Sequence, residues 1–212
     1  MKTVAEMQNV SKSFRQKKLF EDFSLRIDAN EMLAVLGRSG SGKTTFLNIL
    51  GCLTSPDSGK VVIENTEIKG PRDKNVLLLY RYVFGYVFQN FALIENESVS
   101  QNLDIALEYV NASKKEKNRM KEAAVARVGL EGKLGNSIFE LSGGEQQRVA
   151  LARVALKPCT IILADEPTGS LDPENAAIIL DEFVRFKNEG KTIVIVTHSD
   201  EITGRCDRVV RL

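Results

Sequence analysis

No other feature limits the fold of this chain as tightly as the run Gly37-Arg38-Ser39-Gly40-Ser41-Gly42-Lys43-Thr44. A glycine, four residues and then Gly-Lys-Thr is the phosphate-loop pattern, which functions between a buried strand and a helix. Both flanks are readable. The apolar run Met32-Leu33-Ala34-Val35-Leu36 suits a buried strand, and Thr45-Phe46-Leu47-Asn48-Ile49-Leu50 suits a helix packed behind the loop. The glycines let the backbone wrap phosphates, which makes Gly37, Arg38, Ser39, Gly40, Ser41, Gly42, Lys43, Thr44 and Thr45 the candidate phosphate-binding residues. Lys43 is expected to reach the β- and γ-phosphates as a point charge, and the Thr44 hydroxyl to hold Mg²⁺.

A second glycine-rich element lies far along the chain, at Leu141-Ser142-Gly143-Gly144-Glu145-Gln146-Gln147-Arg148. Ser142 followed three residues later by Glu145 is a capping box, so a helix starts here with its first N–H groups free. Gly143 and Gly144 carry no Cβ and allow a phosphate close to that helix end, where the dipole favours negative charge. Alone, a Ser-Gly-Gly helix start is an ordinary cap. The phosphate loop elsewhere in the chain tips the reading toward function.

Ile161-Ile162-Leu163-Ala164-Asp165-Glu166 places two acids at the carboxyl end of a buried strand, where α/β proteins bind ligands, and fits the Walker B pattern. Asp165 is the candidate to hold Mg²⁺ through water, and Glu166 to orient or deprotonate an attacking water. His198, the only histidine, closes the run Thr192 to Thr197, a strand expected beside the Walker B strand. There it is a candidate to donate a hydrogen bond to the γ-phosphate. Gln89 follows the aromatic run Val83 to Phe88 and is a candidate for Mg²⁺ or the attacking water. Phe14 is either an adenine-stacking residue or a plain core phenylalanine.

A length of 212 residues fits one compact domain and leaves no room for two full domains of this kind. With 29 Lys+Arg against 28 Asp+Glu, no overall field recommends nucleic acid or an acidic membrane surface as a partner. The basic run Lys114 to Lys121 reads as a solvated helix face, with Met120, Ala124 and Val128 as its apolar stripe. Cys52, Cys159 and Cys206 show neither pairing nor metal-ligand spacing, which suits a reducing cytosol. No secretory signal is read at the N-terminus, and the uncharged stretch Tyr82 to Ile94 falls short of the roughly 20 residues that span a bilayer. Any membrane pathway is therefore expected in another polypeptide.

Strands are expected at Thr3 to Val10, Leu25 to Ile27 and Val61 to Ile63 around the phosphate-loop unit. Helices follow from Ser98 through about Val110 and from Ser113 to Val128. After the helix that opens at Ser142 come a strand at Thr160 to Ala164, a helix from Glu174 with Asp172 as cap and Pro173 in its first position, and strands at Thr192 to Thr197 and Arg208 to Leu212. The pattern predicts an α/β fold: a phosphate-loop NTPase core with a mainly parallel sheet, an N-terminal antiparallel β part and a helical insertion. The core spans about 1-89 and 157-212, and the insertion about 90-156.

Together these motifs resemble the ATP-binding-cassette (ABC) ATPases, whose signature is LSGGEQQR-like, and more narrowly the ATP-binding subunits of ABC transporters. The stretch Ala164-Asp165-Glu166-Pro167-Thr168-Gly169-Ser170-Leu171-Asp172 is similar to the lipoprotein-release, macrolide-export, cell-division and bacteriocin-export ATPases. The resemblance implies an ATPase using ATP and Mg²⁺, an ATP-dependent homodimer in which each phosphate loop is completed by the other copy's Ser142, Gly143 and Gly144, and Asp172 near the subunit boundary. It further implies an integral membrane permease as partner, no nucleic acid, and a place on the cytoplasmic face of the membrane through that permease. Two departures stand out: Phe14 where tyrosine is more frequent, and Glu145 where many relatives carry glutamine.

Three rival readings are weaker. ABC-type ATPases of DNA repair or translation carry coiled-coil insertions, zinc modules or linked cassettes, none of which is read here. A guanine-reading Asn-Lys-x-Asp motif is missing, which argues against a GTPase, and the signature has no role in a one-subunit small-molecule kinase built on the same loop. Intact Lys43, Glu166 and His198 argue against a non-hydrolysing cassette.

Overall fold

A computed structural model describes residues 2–14, 17–169 and 171–212. Arg15 and Ser170, which the sequence motifs include, lie outside the described residues.

Two sheets carry the structure. The first is antiparallel, in the order β2-β1-β4-β5, from β1 (Thr3–Phe14), β2 (Lys17–Asp28), β4 (Ser58–Ile63) and β5 (Thr66–Ile68). The second comprises β6 (Phe84–Val87), β7 (Ile161–Asp165), β8 (Thr192–Thr197), β3 (Met32–Leu36) and β9 (Arg208–Arg211) in the order β6-β7-β8-β3-β9, with every pairing parallel. Parallel sheets are covered on both faces, and their central strands read as unbroken apolar runs. Accordingly β7 and β8 are buried at every residue.

One apolar cluster fills the space between the two sheets and α1 (Lys43–Leu50), with Phe46, Ile49, Met7 and Ile27 wholly buried. A second cluster lies across the parallel sheet, where Ile162, Ile193 and Ile195 meet α5 (Gly143–Leu156) and α6 (Pro173–Asn188). The same cluster continues into α3 (Val99–Leu107) and α4 (Lys114–Arg127), so the helical insertion is welded to the core through apolar contact. The expected fold class is what the chain adopts.

Boundaries differ in ways that have physical causes. β1 runs on to Phe14, past Val10, because β-bulges let it keep pairing with both β2 and β4. The helix capped by Ser98 stops at Leu107 instead of Val110. Five short elements, β5, α2 (Val76–Tyr82), β6, a 3-10 turn at Ile138–Glu140 and α7 (Asp200–Thr203), are not expected from the sequence.

The basic run of α4 is only partly a solvated face. Lys121 is buried, its ammonium donating to Ser100 Oγ and Asp104 Oδ1 at 2.7 Å each, and Lys117 caps the Leu107 carbonyl at 2.8 Å. Both lysines thus clip α4 to α3.

Candidate active site

The phosphate loop forms where β3 ends. Gly40 (φ +75°) and Gly42 (φ +101°) take left-handed backbone that a side chain would strain. A Cβ on Gly37 would fall 2.3 Å from Ser41 Oγ, so any side chain there would turn the Ser41 hydroxyl out of its place inside the loop. Gly42 caps α1 without any side-chain hydrogen bond, which leaves the first-turn N–H groups of α1 free to bind an anion. Lys43 folds back inside the loop and donates to the carbonyls of Gly37 (2.8 Å) and Arg38 (3.3 Å).

A cleft of about 670 Å³ opens over this loop. It is lined by Arg38, Ser39, Gly40, Gly42, Lys43, Thr44 and Thr45, together with Phe14, Gln89, Glu166 and His198 from four other segments. The structure therefore brings the sequence-identified acid, histidine and glutamine onto one wall set. Phe14 stands half-exposed at this cleft, with the Lys12 ammonium 5.6 Å from its ring, and is not a core residue.

β7 delivers the two acids differently. Asp165 is buried, with Oδ1 lacking any hydrogen-bond partner. Burial pushes its carboxyl above the ordinary value, and the Thr44 hydroxyl beside it pulls the other way. Glu166 turns off the strand at φ +43°, a left-handed conformation unusual for glutamate and typical of constrained functional positions. Its carboxylate lies 3.4 Å from Lys43 Nζ, 2.9 Å from His198 Nδ1 and 3.2 Å from Thr197 Oγ1.

Ser142, Gly143, Gly144 and Asp172 do not line the cleft. They occupy the starts of α5 and α6, which pack together. Ser142 caps α5 through the expected capping box, and Asp172 caps α6 through the Asn175 amide N–H at 2.9 Å. Asn175 bridges the two starts: it donates to Asp172 Oδ2 at 2.6 Å and accepts from Arg148, while its amide abuts Gly144. Gln147 ties α5 to the Walker B turn by donating to the Pro167 carbonyl at 2.8 Å. Glu145 is bonded to Lys133 and to the Ser142 N–H, which holds its carboxyl down at about 2.

Sequence reading missed Thr197, Asn175 and Gln147, because each acts through a contact with a residue distant in sequence.

A parallel sheet, a phosphate loop with its lysine facing an acid at the end of the adjacent strand but one, and a histidine on the strand between them define a phosphate-loop nucleoside-triphosphatase. Residues 20–169 match the family described as ABC transporter, and the chain belongs to that family as an ATP-binding, ATP-hydrolysing cassette. It is 37% identical to the uncharacterized ABC transporter ATP-binding protein YknY of Bacillus subtilis, over 97% of this chain and 91% of that one. It is equally 37% identical to the macrolide export ATP-binding/permease protein MacB of Agrobacterium fabrum, over 97% of this chain but 32% of that longer protein. Among solved structures, the dimeric ABC transporter cassette MJ0796 superposes with a TM-score of 0.89 at 33% identity, covering 98% of this chain and 94% of that one. A post-hydrolysis state of the same cassette bound to ADP and Pi superposes equally well. No helix among the described residues is long and apolar enough to cross a membrane.

Proposed function

We propose that two copies of this chain close face to face on two ATP molecules, that Glu166 and His198 drive hydrolysis, and that a separate membrane permease takes up the movement for export or for transmission of force across the envelope. One observation carries this reading. The cleft holds Lys43, Gln89, Glu166 and His198, whereas the helix start at Ser142 and Gly143 is not part of its lining and is held as a unit with Asp172 through Asn175. An anion-binding helix end is completed here only by a phosphate brought from a second copy. The dimeric relative MJ0796 and the export protein MacB support the pairing and the permease. They favour a transporter over an ATPase of DNA repair or translation. The insertion at about 90-156 is read as the part that carries the signature to the second copy.

The donor set fits Mg²⁺. Asp165 Oδ1 is unpartnered, and Thr44 and Gln89 add a hydroxyl and an amide, matching an ion that takes one or two carboxylates and completes its shell with water and phosphates. Bound there, Mg²⁺ neutralises charge on the phosphate oxygens. Lys43 leaves the loop carbonyls for the β- and γ-phosphates, and Phe14 stacks on the base. Glu166 accepts a proton from the attacking water. His198 meets Glu166 Oε1 through Nδ1 at 2.9 Å, and its exposed ring can turn to place a nitrogen on the γ-phosphate. For the permease, we favour the groove between core and insertion lined by Tyr86, Phe88, Ile105 and Arg153, since it adjoins Gln89 and touches both parts.

Glu166→Gln with Mg-ATP is expected to shift from monomer to dimer on size-exclusion chromatography with light scattering, with turnover lost by about a hundredfold or more. Adding Ser142→Arg places bulk and charge at the shared phosphate and is expected to abolish the dimer while the phosphate loop still binds ATP. A double variant that dimerises sinks the composite site.

A further inference from the structure

The Glu166 carboxylate is not left to find its own position. Three successive residues, the last two of β8 and the one after it, each hold Glu166: the Val196 carbonyl accepts its backbone N–H at 2.9 Å, Thr197 Oγ1 donates to Oε2 of the carboxylate, and His198 Nδ1 meets Oε1. Of these, Thr197 is wholly buried and makes two further connections. Its hydroxyl accepts the Ser199 N–H at 3.0 Å, and its carbonyl accepts the Gly37 N–H at 3.4 Å. A hydroxyl has a single proton. With a lone pair taken by the Ser199 amide, the single proton of the Thr197 hydroxyl is left for the Glu166 carboxylate oxygen 3.2 Å away.

We propose that Thr197 is the positioning residue of the catalytic base, fixing the rotation of the Glu166 carboxylate by anchoring Oε2 so that Oε1 faces the reacting water. The division of labour follows from exposure. His198 is 66% exposed and free to turn toward a phosphate, and Lys43 leaves when nucleotide arrives. Among the described residues, Thr197 is the one side-chain partner of Glu166 that neither moves to substrate nor meets solvent. Because the same residue bonds Gly37 and the turn bearing His198, it sets the base in register with both the phosphate loop and the histidine. Small misplacements of a catalytic group are costly, on the order of a hundredfold for about 1 Å. The inference rests on Glu166 being the base.

Thr197→Val keeps the shape and the buried methyl and deletes the hydroxyl, whereas Thr197→Ser keeps the hydroxyl. Steady-state turnover of the full chain at saturating Mg-ATP is expected to fall by about tenfold or more in Thr197→Val, with ATP affinity held within about twofold, and to recover most of that loss in Thr197→Ser. The pair Thr197→Val/Glu166→Gln is expected to dimerise with ATP as Glu166→Gln alone does, because the hydroxyl serves chemistry and not assembly. Wild-type turnover in Thr197→Val, equal losses in the valine and serine variants, or loss of ATP-driven dimerisation in the pair would each overturn the assignment. Full turnover in Glu166→Gln removes the base itself, whereas an inactive Glu166→Gln beside a fully active Thr197→Val removes only the role of Thr197.

Discussion

Gly144 and Asn175 approach so closely that a Cβ built on Gly144 would lie 2.5 Å from the Asn175 side-chain carbon and 2.6–2.7 Å from its oxygen and nitrogen. The start of α5 is therefore seated directly on the start of α6, with the amide between them pinned by Asp172 and Arg148.

Gly144→Ala is expected to push that amide off its partners. Overpacking of this kind costs about 1–3 kcal/mol, and the better helix propensity of alanine returns only part of it in a first turn. A net loss of about 1–2 kcal/mol in urea denaturation is expected, most of it recovered by adding Asn175→Ala. Gly143→Ala, whose Cβ would meet only Phe91 at 3.8 Å, is expected to leave folding stability unchanged. Equal destabilisation by both alanines would show that the packing is not the cause.

Acid should loosen the signature region. The Lys133 ammonium and the Ser142 N–H hold Glu145 at about 2 in the folded chain, against 4.5 for an ordinary glutamate. Between those values the unfolded chain binds more protons than the folded one, so stability rises with pH across the window and is lost as pH falls through it. Thermal melts of wild type are expected to drop as pH falls from about 4.5 toward about 2. Glu145→Gln, with no proton to gain, is expected to show a shallower decline, and parallel curves for the two proteins would exclude Glu145 as the source.

Arg127, the last residue of α4, is bonded to Glu182 on α6, stacks 4.9 Å from the Phe186 ring and reaches Glu189 at 2.7 Å. Glu182 is 2% exposed, and burial pushes its carboxyl up despite the arginine. Arg127→Ala leaves that carboxylate with Arg185 alone, at 3.5 Å. The expected cost is roughly 2–3 kcal/mol, below that of stripping a wholly buried pair because Arg185 remains. Arg127→Ala/Glu182→Leu is expected to regain most of it, and a single variant as stable as wild type would refute the contribution.

What the sequence makes legible here is local. Capping boxes at Ser98 and Ser142 form as their spacing predicts, as does the Asp172 cap with Pro173 behind it, and the helix expected to start at Ser113 is closed by a third box that sequence reading missed. Each depends on residues three apart. The phosphate loop and the Walker B strand are equally self-contained. Illegible are the contacts set by strand order: nothing near Thr197 says that β8 will lie between β7 and β3, and only that placement puts its hydroxyl on Glu166. Lys121 was misread for a related reason, since a basic run looks solvated until α3 supplies Asp104 opposite it. The left-handed backbone of Glu166 has no sequence signal either, as it is imposed by hydrogen bonds from the neighbouring strand.

The order of strands also sets a timetable for biosynthesis. β3, which carries the phosphate loop, has β8 on one side and β9 on the other, and both are translated long after it, beyond the helical insertion. A nascent chain that has emerged through the whole helical insertion thus owns a complete Gly37–Thr44 loop on a strand with neither neighbour. Long-range parallel pairing is slow and leaves bare edges meanwhile. The nucleotide pocket of this chain is therefore assembled only once β8 and β9 have followed the helical insertion off the ribosome, so a nascent copy short of them has no assembled pocket with which to hold ATP.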